Sequence, residues 1–362
     1  MVYIILAAVI LAAGLMFGGK KMGRWAFVLI ACIALFSVYG LRDAFTVGND
    51  SASSYIRLFN ETGAKEWAEL PGIFEEYNAG YDYLSKLVFD LTGGDYQIFV
   101  TLIAAFVIIV FGSFLMRYST SPLQSVTYYL GLLLYTFMFS ALKQSIAMSF
   151  VLLAFSAMLE KKPVKFTVLV LIGALFHFPA LVFLPAYLLS RCRMDRKYIV
   201  ILGAVLLVVF IFREPMLKLM LNFYKDDGGG GSSTLPTDVG FLRTKVLIMI
   251  VILIAALVLR DPAGEDRLYT TLLHFTGIAI VFQTFCGYNN IFERLADYYF
   301  QFAVVLIPMV FERPPLETNE RHSLIYTVRN LGPYIFGAYG LWRFVTTTLA
   351  DPTLNSYSFF FQ

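Results

Sequence analysis

A small set of ionisable and aromatic side chains interrupts an otherwise apolar chain, and their positions are suggestive. Lys143 and Gln144 sit at the start of one apolar run and His177 at the end of the next, with Lys161, Lys162 and Lys165 in the short stretch between. Two helices joined there fold back on each other, so the lysine, glutamine and histidine meet at the far end. Arg42 and Asp50 open a long polar loop, and Glu75, Glu76 and Tyr81 lie where it closes. Glu293 and Arg294 precede a final group in which Arg294, Asp297, Tyr298 and Gln301 fall at i, i+3, i+4 and i+7, one face of a helix. Carboxylates and histidine accept protons, and lysine and arginine hold anions.

Each residue also has an ordinary structural use. Arg42 can anchor a helix end by snorkelling, Glu75 and Glu76 can be the wet face of a surface helix, and Lys143 can be an end-of-helix cation. His177, before Phe178 and Pro179, can be a cap, and Glu293 and Arg294 can compensate one another's charge. Joint placement on one side of a membrane is what favours a shared site, because ionisable residues at such depths face a cavity or one another.

The elements that must position them are transmembrane helices. The chain has 362 residues, 59% of them hydrophobic and only 15% charged, with a mean hydropathy of +0.71. Water-soluble domains carry about 25% charged residues. The apolar runs are continuous rather than alternating, which excludes a transmembrane barrel. At roughly 20 residues per span there is room for about twelve helices. Beyond 1–18 and 25–41 they are expected near 98–116, 124–142, 144–160, 163–177, 179–190, 198–212, 244–259, 268–286, 295–311 and 331–349. This register puts every strongly basic short loop on one side, which the positive-inside rule makes cytoplasmic, and both termini outside.

The segment 81–92 is too short to cross and carries Lys86 and Asp90, so it is expected to be re-entrant or interfacial. The whole, 1–362, reads as a single transmembrane domain with an outer loop at 42–97 and a flexible, glycine-rich outer loop at 213–243. Cys32, Cys192 and Cys286 lack metal-ligand spacing, no metal or cofactor is expected, and no nucleotide-binding fingerprint is present.

The order Arg42, Gly48-x-Asp50, Tyr55, then Glu75 or Glu76 before Gly80-Tyr81, Lys143-Gln144-x-x-Ala147, Phe176-His177 and Glu293-Arg294 before Tyr299-Phe300 resembles the EpsG-like polysaccharide polymerases of bacteria. These are akin to the Wzy polymerases of O-antigen, capsule and exopolysaccharide assembly. One departure is Lys143 where the family often has arginine, which keeps the charge and loses the two-pronged phosphate contact.

The resemblance implies an all-α, polytopic, GT-C-like membrane glycosyltransferase of the bacterial cytoplasmic (inner) membrane, working on its extracytoplasmic face. Its partners would be polyprenyl-pyrophosphate-linked oligosaccharides as donor and acceptor, the lipid bilayer, a chain-length regulator and a flippase, and no nucleic acid. Arg42, Lys143, Gln144, Arg243 and Arg294 become candidates for pyrophosphate and sugar binding, joined by the aromatic side chains of Tyr81 and Tyr298. The base is sought among Glu75, Glu76, Asp50, His177 and Glu293, with Glu75 or Glu76 first, in a single inverting displacement. Two other classes stay open. A secondary transporter or lipid-linked oligosaccharide flippase would need ionisable groups near the bilayer midplane, whereas an outer-face ligase would share most of the polymerase chemistry.

Overall fold

The computed structural model describes the chain apart from residues 18–20, 49, 73–76, 193–195, 226–243, 260–266, 287–289 and 312–323. Its elements are α1 (Val2–Phe17), α2 (Lys21–Gly40), a π-helical turn (Ser51–Tyr55), α3 (Ile56–Gly63), α4 (Ala79–Thr92), α5 (Tyr96–Tyr118), α6 (Pro122–Gly131), α7 (Leu134–Phe137), α8 (Leu142–Leu159) and α9 (Pro163–Phe176). A 3-10 helix (Phe178–Phe183) leads on to α10 (Ala186–Leu189), α11 (Arg196–Lys225), α12 (Thr244–Val258), α13 (Arg267–Gln283), α14 (Asn290–Phe300), α15 (Ala303–Phe311), α16 (Leu324–Ala350) and α17 (Pro352–Asn355). No strand occurs among the described residues, and the fold is that of an all-α polytopic membrane protein. Two compact units are resolved: Met1–Leu184 with Phe311–Gln362, and Pro185–Val310.

Among the described residues, four helices are long and apolar enough to cross a membrane: Gly23–Gly40, Tyr96–Tyr118, Leu142–Leu159 and Ile199–Met216. The pair Ile291–Phe300 and Ala303–Phe311, bent by 47°, adds a fifth if it is one broken span, and shorter apolar helices include Val2–Phe17, Pro163–Phe176 and Thr244–Val258. The helix expected to stay out of that set is found as α4, 14 residues long and ended by Gly93 in the left-handed conformation.

The first unit has two chemically distinct ends. At one, α2 finishes, α5 starts and α8 starts. Gln97 ties α5 to α2 by donating to the Gly40 carbonyl and accepting from the Ala44 amide. The last residues of the chain join this end: Phe360 N–H donates to Leu41, Asp43 N–H donates to Ser358, and Tyr3 of α1 packs on Tyr357.

At the opposite end the basic loops gather. Arg24 donates to the carbonyls of Leu115, Met116 and Ser119, capping the C-terminus of α5. Glu160, in the turn between α8 and α9, pairs with Arg117 and Lys162, each at 2.7 Å. Lys162 first and Arg117 second hold its carboxyl down at about 2. A depressed carboxylate stabilises the fold fully above its ordinary range near 4.5 and loses that contribution as pH falls toward 2. Glu160→Gln is therefore expected to lower the thermal midpoint slightly at neutral pH. Melting curves of variant and wild type should converge on acidification through that window.

Three of the expected spans are interrupted, each for a local reason. The 124–142 run breaks where Leu133 adopts φ 62°, separating α6 from α7, and a turn follows to α8. Pro179 and Pro185 deny the 179–190 run a continuous hydrogen-bond ladder, so it begins as a 3-10 helix and resumes only at Ala186. The 295–311 run bends between Phe300 and Ala303. In the other direction, α11 continues through Arg213 and Pro215 to Lys225, where a loop from 213 is expected. Only 226–243 of that loop falls outside the described residues.

In the second unit, α13 runs back along α12, with the Tyr269 hydroxyl donating to the Ala256 carbonyl at 2.8 Å. α14 reverses again, so α12 and α14 start at the same end. At the other end, Arg267 donates to Ser190 and the His274 ring meets the Cys192 carbonyl.

Candidate functional site

The hairpin of α8 and α9 does what the sequence demands of it. Gly173 lets α9 approach the Ala147 backbone of α8: a Cβ there would lie 3.2 Å from the Ala147 carbonyl oxygen. One helical turn further, four residues back along α8 and four on along α9, this antiparallel register brings Lys143 level with His177. The His177 amide still donates to Gly173 while its backbone turns extended, which ends α9 at this level.

α4 closes the site from the side. Its first turn is docked on the end of α9, where a side chain on Gly80 would collide with Leu175, and Asn78 accepts from the Phe178 amide at 3.1 Å. This brings Tyr81 under Lys143, whose ammonium lies 4.9 Å from the ring centroid. The Tyr81 ring also packs on Tyr55 and Phe99, 5.6 and 5.5 Å away. Tyr81 and Ser85, one turn apart on α4, are both fully buried, and neither hydroxyl finds a hydrogen-bond partner among the described residues. Buried polar atoms without partners are rare and mark positions where a ligand can complete the set. Gln144 is buried next to Lys143, and His177 is half-buried.

Below this polar group lies an apolar cavity of about 280 Å³. Leu84 and Val88 of α4, Ile146 and Phe150 of α8, Phe176 of α9 and Phe99 of α5 contribute to its wall. Phe99 links the two, since the ring on which Tyr81 packs also forms part of this hydrocarbon-lined wall.

Asp50 is half-buried at the start of the π-helical turn whose Tyr55 reaches Tyr81. Its approach is fixed by Gly48, at φ +99°, where a Cβ would strike the Phe139 carbonyl oxygen. Arg42 holds the same junction, in a manner the sequence reading does not anticipate. Expected as a snorkelling anchor at a helix end or a pyrophosphate contact, it is fully buried. Its guanidinium donates to the carbonyls of Val47, Tyr39 and Phe139 at 3.1, 3.1 and 2.9 Å and lies against both the Tyr39 and Phe139 rings, which also pack on each other. It clamps the loop that carries Asp50 to the segment that leads into Lys143.

A second polar cluster forms within the other unit. Lys245, in the first turn of α12, pairs with Asp297 at 2.5 Å and with Glu293 at 3.4 Å, both on α14. The Asp297 side chain is 2% exposed and that of Lys245 14%. Lys245 is absent from the sequence-based candidates, although a lysine inside the apolar run 244–259 is itself the signal that would have flagged it.

The expected helix face along α14 is only partly realised. Arg294 is exposed, Asp297 and Tyr298 are buried, and the helix stops at Phe300 so that Gln301 lies in the bend, donating to the Tyr298 carbonyl. Among the remaining candidates, Glu75, Glu76 and Arg243 lie outside the described residues. No three His, Cys, Asp or Glu side chains gather as metal ligands among the described residues.

Compared with known proteins, residues 25–344 match the model of the EpsG family. Neither a curated protein nor a solved structure matches the chain.

Proposed function

Since the chain belongs to the EpsG family, which is associated with polysaccharide polymerisation, we propose that it is a membrane glycosyltransferase that polymerises polyprenyl-pyrophosphate-linked repeat units on the extracytoplasmic face of the cytoplasmic membrane. The observation that carries this reading is the Lys143 ammonium over Tyr81, with Ser85 one turn along and an apolar cavity whose wall includes Phe99, the ring on which Tyr81 packs. An amphiphile with an anionic head and a hydrocarbon tail satisfies both halves at once: the ammonium and the hydroxyls meet the head, and the cavity takes the first part of the tail.

In the reaction, the hydroxyl oxygen of an acceptor sugar forms a bond to the anomeric carbon of the donor. The bond from that carbon to the pyrophosphate breaks, and polyprenyl pyrophosphate leaves with the electron pair. The hydroxyl proton passes to a carboxylate, for which Glu75 or Glu76 is the first choice and Asp50 the next. Lys143 stabilises the charge that grows on the leaving oxygen, Gln144 and His177 orient the sugars, and Arg42 acts as a positioning residue through the Asp50 loop. One displacement inverts the anomeric centre and needs no covalent sugar intermediate. In the second unit, Glu293 is a further candidate proton acceptor and the exposed Arg294 a further anion contact.

Purified protein incubated with lipid-linked repeat units is expected to yield a ladder of longer products together with free polyprenyl pyrophosphate. Lys143→Ala should slow elongation by about 10²-fold, the usual cost of one donor aimed at developing charge. Lys143→Arg keeps the cation over Tyr81 and should retain most of the rate. Wild-type ladders from the alanine variant would remove Lys143 from the mechanism. Transfer of finished glycan to a non-carrier acceptor, without lengthening, would indicate a ligase instead.

A further inference from the structure

The end of the first unit remote from Lys143 contains a larger cavity, of about 780 Å³, that the reaction above does not use. Its lining combines polar side chains, Arg24, Gln124 and Thr127, with apolar ones, Leu11, Leu123 and Leu341 among them. Gly337 of α16 lines it with room to spare, since a Cβ there would meet only Thr127, at an ordinary 3.6 Å.

Two of these polar groups have unused hydrogen-bonding capacity among the described residues. The Arg24 bonds to the end of α5 all leave from Nη2, which leaves Nε and Nη1 for another acceptor. The Gln124 amide oxygen is buried without a partner. A guanidinium fixed by three carbonyls is a preorganised anion contact, an amide oxygen wants a donor, and the rest of the wall wants hydrocarbon. Arg117, Lys162 and Lys165 lie at this same end and add to its positive field.

We propose that this cavity binds one anionic glycerophospholipid, its phosphate on Arg24, a headgroup hydroxyl toward Gln124 and an acyl chain along α1 and α16. The site is separate from the proposed substrate site and does not depend on the polymerase reading. It would serve as a structural lipid seat where α1, α6 and α16 meet.

The test uses the full chain purified in detergent. Native mass spectrometry reads lipids retained from membranes. Thermal melts then read the stripped protein after adding phosphatidylglycerol, phosphatidylcholine or inorganic phosphate. Phosphatidylglycerol is expected to be retained and to raise the midpoint, with the other two additions giving much less. Arg24→Gln should weaken retention about tenfold or more, the worth of a charge-assisted contact. Because that substitution also uncaps α5, Gly337→Leu provides a second variant that fills the cavity and leaves Arg24 in place, and it should abolish retention. Equal stabilisation by phosphatidylcholine would overturn the proposal, as would equal stabilisation by free phosphate. Wild-type retention in Gly337→Leu would overturn it even if Arg24→Gln fails to fold.

Discussion

Arg42→Ala is expected to leave little folded protein, with a loss on the order of 3–5 kcal/mol. The physical reason lies in what the guanidinium leaves behind. Three carbonyl oxygens, those of Tyr39, Val47 and Phe139, would lose a charge-assisted donor in a fully buried setting where water cannot replace it. The Tyr39 and Phe139 rings would also lose the cation packed against them and face a void.

Since the same junction joins the end of α2 to the approach to α8, the damage should spread to the Asp50 loop and to Lys143. Arg42→Lys should fold only partly better, because one ammonium cannot reproduce a planar fork directed at three oxygens. The yield of monodisperse protein on size exclusion, followed by thermal unfolding in detergent, measures both. A fully folded, inactive alanine variant would reverse this assignment and return Arg42 to direct substrate contact.

Arg42 also shows what the sequence could and could not reveal. Residue type and order identified it, yet nothing in a run of letters says whether an arginine at a helix end reaches outward or turns back onto carbonyls contributed by residues as far away as Phe139. The hairpin was more legible. Lys143 and His177 lie at the far ends of two apolar helices joined by a short basic turn, so helix geometry alone brings them to the same end. The role of α4 was half legible: its length excluded a span, but its docking on α9 depends on the close approach at Gly80, which only coordinates disclose. Breaks at the prolines 179 and 185 were readable in principle. The break at Leu133 was not, because a left-handed leucine has no compositional signature. Lys245 is hard to read from sequence because its partners lie about fifty residues downstream on α14.

The pairing of Lys245 with Asp297 and Glu293 leads to the second large effect. Lys245→Met should destabilise the protein by about 3–5 kcal/mol, since it strands a buried carboxylate with no cation. Replacing both partners, as Lys245→Met with Asp297→Leu, removes the charges together and should restore most of that loss, because the desolvation cost of a buried pair offsets much of its attraction. Stability and chemistry then separate.

A purely structural pair would let the double variant elongate glycan normally. A charged cluster kept in an apolar helix without a stability gain is better explained by a task. The double variant is accordingly expected to fold and insert like wild type, and to give only short products, because Glu293 would have lost the lysine that holds it. Unfolding midpoints set against product ladders for the wild type, both single variants and the double variant decide the matter. Full-length ladders from a stable double variant would reduce the cluster to packing and leave Lys143 and its neighbours as the chemical site.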